Sequence, residues 1–98
     1  MKLHQKGFLL VELNKVTECW DYELIDKALV EYNVKGARWV NTFRVALDEL
    51  SAAGLTMITD KKLDDGSRVG IDKVLFRFRL TDFGRTRLQE TGLLASTP

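Results

Sequence analysis

Residues 38–55 read RWVNTFRVALDELSAAGL, and within them Val40, Phe43, Leu47 and Leu50 recur at i, i+3, i+7 and i+10. Such spacing puts one apolar stripe along an α-helix, so a helix is expected from about Arg38 to Ala53. Gly54 then stops it, because a residue without Cβ adopts the positive φ of a C′ position at little cost. Immediately upstream, Asn33-Val34-Lys35-Gly36-Ala37 supplies more residues that tolerate a left-handed backbone and forms a link. Before that link, Leu24, Ile25, Ala28, Leu29 and Tyr32 mark a second helix, with Asp21 placed as its N-cap. Glu23 and Lys27 stand four apart on its polar face in the favourable order. Further out, Leu9, Leu13 and Val16, broadened by Phe8 and Leu10, suggest a first helix from Gln5 to about Val16. Gly7 and the run Phe8-Leu9-Leu10-Val11 leave a strand open there.

Downstream of Gly54 the period changes from helix to strand. From Ile71 to Leu80, Val74, Phe76, Phe78 and Leu80 fall on one side and Lys73, Leu75, Arg77 and Arg79 on the other, as a half-buried strand requires. Asp65-Gly66 offers a two-residue hairpin turn, which pairs Met57 with Val74 and Leu55 with Phe76 and brings two apolar faces together. A longer tip containing Leu63 through Gly70 is the other arrangement open to this segment. Thr81 caps a final helix that carries Phe83 and Leu88 inward and ends near Gly92.

The order of elements therefore predicts an α+β domain: a three-helix bundle, a two-stranded antiparallel hairpin and a C-terminal helix. With 98 residues, 45% hydrophobic and 30% charged, the chain suits one core, assigned to residues 1–92, with 93–98 as a mobile tail. One cysteine, Cys19, gives no disulfide framework, and with His4 as the one histidine no metal cluster of the usual kind is expected. Cys19 is read as a small buried hydrophobe and His4 as part of a frayed terminus. The longest apolar run, four residues ended by Glu12, is too short to cross a membrane, and a reducing cytoplasm fits. No nucleophile–base arrangement, phosphate-cradling glycine loop or paired carboxylates can be assembled, so neither an enzyme nor a cofactor is expected.

Two stretches carry a family likeness. Phe43 to Leu55, FRVALDELSAAGL, resembles the recognition helix and its exit in multiple-antibiotic-resistance-type and phenolic-acid-repressor-type transcriptional regulators. Leu80 to Leu88, LTDFGRTRL, resembles the junction that follows the wing in those families. The resemblance runs over roughly residues 8–88 and implies a winged helix-turn-helix whose third helix enters the major groove of double-stranded DNA. The link 33–37 is longer than the usual turn of that motif.

With the core stripe centred on Phe43, Leu47 and Leu50, the opposite face of the third helix holds Arg38, Asn41 and Val45, with Thr42 at its flank. Paired hydrogen bonds from Arg38 to guanine and from Asn41 to adenine, and contact of Val45 with a thymine methyl, are the chemistry this face offers. Trp39 falls on the core side. Residues 35–88 hold eleven basic and seven acidic side chains, an excess suited to phosphate. Lys35, Arg44, Lys61, Lys62, Arg68, Arg77 and Arg79 are the candidates for backbone contact. The hairpin from Asp60 to Lys73 is itself neutral, with four side chains of each sign. Trp20 and Tyr22 are placed to staple the second helix to the body or to mark a dimer contact. A homodimer is expected from the small area of a single module. The alternative is a winged-helix adaptor that holds another protein through the same surface without binding DNA, favoured by the neutral hairpin and by Asp48 and Glu49.

Overall fold

Four helices and three strands make a small α+β domain in the computed structural model, which describes residues 4–68, 70 and 72–91. They follow as α1 (Gln5–Asn14), β1 (Cys19–Trp20), α2 (Asp21–Glu31), α3 (Ala37–Ala52), β2 (Thr56–Leu63), β3 (Val74–Leu80) and α4 (Asp82–Glu90). The first three helices pack on one another, and the sheet, ordered β1-β3-β2 and antiparallel throughout, closes the bundle. Leu9, Leu13, Leu24, Phe43, Leu47, Phe78 and Leu88 are buried in one continuous core.

Both long helices of the bundle end on the same device. Asn33 at φ 53° lets Val34 N–H donate to Leu29 and Asn33 N–H to Val30, satisfying carbonyls that α2 leaves open. Gly54 at φ 80° does the same for α3, with Leu55 N–H on Leu50 and Gly54 N–H on Ser51. Trp39 packs against Phe43, ring centres 6.3 Å apart and planes tilted by 33°, on the core side as its angle requires.

Several expectations are corrected. The sheet has three strands rather than two: β1 pairs Cys19 with Phe78 and Trp20 with Arg77, and two residues are too few to show alternation in the sequence. Asp21 is the first residue of α2, not its cap; Trp20 holds the cap position, and its N–H donates to Glu23 at 3.3 Å. The first element is a helix, but it stops at Asn14, so Val16 lies outside it and 40% exposed. His4 is not frayed away, since its Nδ1 accepts the Lys6 N–H and caps α1. Phe83 is half exposed rather than inward, the inward residues of α4 being Gly84 and Leu88. That helix ends at Glu90; Gly92 and the tail lie outside the described residues.

The hairpin register is the largest correction. Thr56 pairs with Leu80, Met57 with Arg79 and Ile58 with Phe78; a bulge follows at Thr59, and Asp60 to Leu63 pair with Arg77 back to Val74. Met57 does not face Val74, nor Leu55 Phe76. The base decides this, because Thr81 N–H donates to the Leu55 carbonyl at 3.1 Å and so fixes where β3 must end. At the start of the hairpin the shift from the expected pairing is an odd number of residues, which turns Met57 to the solvent face, 40% exposed beside Arg79. Slack at the other end is taken up by a tip longer than the two-residue turn, but Leu63, expected within it, belongs to β2 and pairs with Val74.

Candidate nucleic-acid interface

Packing of Phe43, Leu47 and Leu50 inward leaves Arg38, Asn41 and Val45 on the open face of α3, as the stripe requires. Arg38 and Asn41 are exposed and Val45 is 47% exposed. Thr42 is half-buried, and its hydroxyl donates to the Arg38 carbonyl one turn back at 2.9 Å.

Arg44 lies on the flank of the helix and is spoken for. Its Nη1 donates to Asp21 Oδ2 at 3.0 Å and its Nη2 to the Val74 carbonyl at 3.0 Å. The Asp21 carboxylate, 2% exposed, also accepts the N–H groups of Tyr22 at 2.7 Å and Phe76 at 3.1 Å. Burial pushes the Asp21 carboxyl up from its ordinary value, against the Phe76 amide and the Arg44 guanidinium, which pull it down. One carboxylate and one guanidinium therefore clamp α2, α3 and the outer half of β3 together.

A second buried carboxylate builds the hairpin tip. Asp64, 4% exposed, accepts the N–H groups of Gly66 at 3.1 Å, Arg68 at 3.3 Å and Gly70 at 2.8 Å. Its own N–H donates to Lys73 and its carbonyl accepts from Asp72, which sits at φ 64°. The loop so gathered brings Arg68 and Lys73 to one wall of a cleft of about 560 Å³, whose other wall is Ala37, Val40, Asn41 and Arg44 of α3. Arg68 is held from behind, its guanidinium lying 4.4 Å from the centre of the Tyr22 ring.

The remaining cationic candidates lie elsewhere. Trp20 and Tyr22 stack nearly parallel at 6.2 Å, and Lys62 sits 4.4 Å over Trp20 with its Nζ donating to the Tyr22 hydroxyl at 3.3 Å. Arg77 lies 5.6 Å from the Trp20 ring, pairs with Glu18 at 3.3 Å and donates from Nε to Thr59 at 3.4 Å. Arg79, opposite Met57, is exposed, as are Lys61 in β2 and Lys35 in the link before α3. The structure thus gathers Asn41, Arg44 and Arg68 at one cleft. Arg77 and Arg79 instead lie on the alternate-residue face of β3 expected for them, but the alternation fails at the outer end of the strand, where Leu75 is 1% exposed and Val74 37% exposed.

Lys73 and Tyr22 belong to this arrangement, although nothing in the sequence pattern assigns them to it. Lys73 closes the long tip, so choosing that tip over the two-residue turn is the signal that brings it into view. Cys19 is buried, and desolvation raises its thiol above the ordinary value, away from the reactive thiolate. Among the described residues no cluster of His, Cys, Asp and Glu can hold a metal ion, and no helix is long and apolar enough to cross a membrane. No family model, curated protein or solved structure matches the chain.

Proposed function

We propose that the chain is a winged-helix regulator that binds double-stranded DNA sequence-specifically, with α3 in the major groove and the β2–β3 hairpin as the wing. The observation that carries this is the cleft: Arg68 and Lys73 of the hairpin tip face Asn41 and the first turns of α3. A duplex whose bases meet Arg38, Asn41 and Val45 has its phosphates within reach of the tip cations, and those charges are preorganised by Asp64 and Tyr22. Lys35 lies just ahead of α3 and adds charge on that side. A homodimer follows from size, since a single module covers only about 600–1,000 Å² of DNA and selective affinity commonly takes two.

A binding titration of wild type, Arg38→Ala, Arg68→Ala and Arg77→Ala on a selected duplex and a scrambled one, across a salt series, tests this. Arg38→Ala is expected to cost about 1–3 kcal/mol at one base position and to relax preference there. Arg68→Ala should weaken both duplexes alike and lower the salt slope by about one. Arg77→Ala should have the smaller effect, because Glu18, Thr59 and Trp20 already hold that guanidinium. Absence of salt-dependent binding by wild type at low ionic strength sinks the proposal and leaves the protein adaptor in its place.

A further inference from the structure

The face of the bundle formed by α1 and α2 carries an apolar groove of about 670 Å³ that no residue of α3 lines. Phe8 and Val11 of α1 and Val30 of α2 give its apolar surface, and Val30 is 82% exposed, more than any other large apolar side chain described. Val30 lines the groove together with the half-buried Phe8 and Val11, so the three make one apolar strip rather than a lone exposed side chain.

The charges around the groove say which partner. Glu12 lies between both lysines of the rim, Lys15 at 2.6 Å and Lys27 at 3.9 Å, and its single charge offsets one of them. Asp26 and Glu31 are left on the α2 side, exposed and in no ion pair among the described residues. Three carboxylates against two lysines leave the rim net negative, with the unpaired carboxylates on the α2 side. A second copy seated groove to groove would set two rims of the same net sign against each other. An amphipathic helix with lysine or arginine along the edges of its apolar face meets the valines with its stripe and the carboxylates with its flanks.

We propose that the α1–α2 groove docks a basic amphipathic helix of another protein, separately from the α3 face and whether or not that face binds DNA. The test is a titration of the full chain, followed residue by residue by NMR, with a synthetic helical peptide of leucine and lysine about four turns long. A matched peptide with glutamate in place of lysine is the control. The leucine–lysine peptide should shift Phe8, Val11, Val30 and Glu31, and the glutamate peptide should bind at least about tenfold more weakly. The double variant Asp26→Lys/Glu31→Lys should reverse that order, and Val30→Glu should abolish binding while leaving the thermal melt in place, as its exposure predicts. If Val30→Glu failed to fold, the peptide preference and its reversal would still decide. Equal binding of the two peptides overturns the proposal. So do shifts confined to another face, and a wild-type dimer in sedimentation that Val30→Glu dissolves.

Discussion

At its base the β2–β3 hairpin closes on backbone already held by two helices, whereas its tip closes on one carboxylate. The base joins the exit of α3 to the entry of α4: Thr81 Oγ1 donates to the carbonyls of Gly54 at 2.7 Å and Leu55 at 3.0 Å and accepts the Gly84 N–H at 2.9 Å. A Cβ on Gly84 would overlap the Leu55 carbonyl and Leu80 Cδ1. The stretches ending at Leu55 and opening at Leu80 are thus the two halves of one contact. At the tip the amides of Gly66, Arg68 and Gly70 converge on the one Asp64 carboxylate, while the Ser67 amide turns to Asp65. Stability concentrates where several constraints agree, and the part expected to meet a ligand is held by fewer.

The sharpest way to break this contrast is along a single strand. Phe78→Ala, at the buried end of β3, is expected to lose about 3–5 kcal/mol in chemical denaturation, as a fully buried aromatic does when truncated. Val74→Ala, near the tip and 37% exposed, should lose less than about 1 kcal/mol. Equal losses would mean that the strand is held uniformly.

The junction itself comes next. Gly84→Ala should cost about 1–3 kcal/mol, because the added methyl meets backbone that cannot move without pulling Leu55 from the Thr81 N–H. A neutral result would show that α4 can slide and that the base is less constrained than its hydrogen bonds suggest.

Smaller still is the effect of Asp64→Ala, about 1 kcal/mol globally, since the amides it releases lie at a surface loop where water replaces it. The informative readout is local. Hydrogen exchange at Gly66, Arg68 and Gly70 should accelerate while the Thr81 amide, bonded to Leu55, keeps its protection. Loss of protection at both ends would join tip and base into one cooperative unit.

The same contrast governs what the sequence reveals. The stripes of α2 and α3, the stop at Gly54 and the cap at Thr81 are legible because each is written within a few neighbouring residues. The open face of α3, with Arg38, Asn41 and Val45, follows from the stripe by geometry. The pairing of the hairpin is not local: Asp65-Gly66 favours a tight turn, and it is overruled by an anchor at Thr81 and by a carboxylate that finds three amides up to six residues away. β1 is too short for a period. Arg44 looks like any surface arginine until the fold places Asp21, 23 residues earlier, and Val74, 30 residues later, around it. Arg68 shows its place in the site only once the long tip is known.

Between base and tip stands the Asp21–Arg44 clamp, and its response to pH is the finest of these tests. Burial is the largest influence on Asp21 and raises its carboxyl above the ordinary value of 3.8, with the Phe76 amide and Arg44 opposing. In the acid range just above that value the folded chain therefore keeps a proton that the unfolded chain releases. The stability from this group is complete below the unfolded value and is lost as pH rises through the raised folded one. Asp65 runs the other way: the Ser67 hydroxyl and amide hold its carboxyl low, so its contribution is lost as pH falls. Asp65 is common to wild type and Asp21→Asn, so it cancels in their difference. That difference in unfolding free energy should favour wild type most at acid pH and shrink towards neutrality. A difference that grows with pH would mean that Arg44 outweighs burial. Asp21 would then join α2 to α3 as a net attractive ion pair while also accepting the Phe76 N–H of β3, and the middle of the hairpin would be held as firmly as its base.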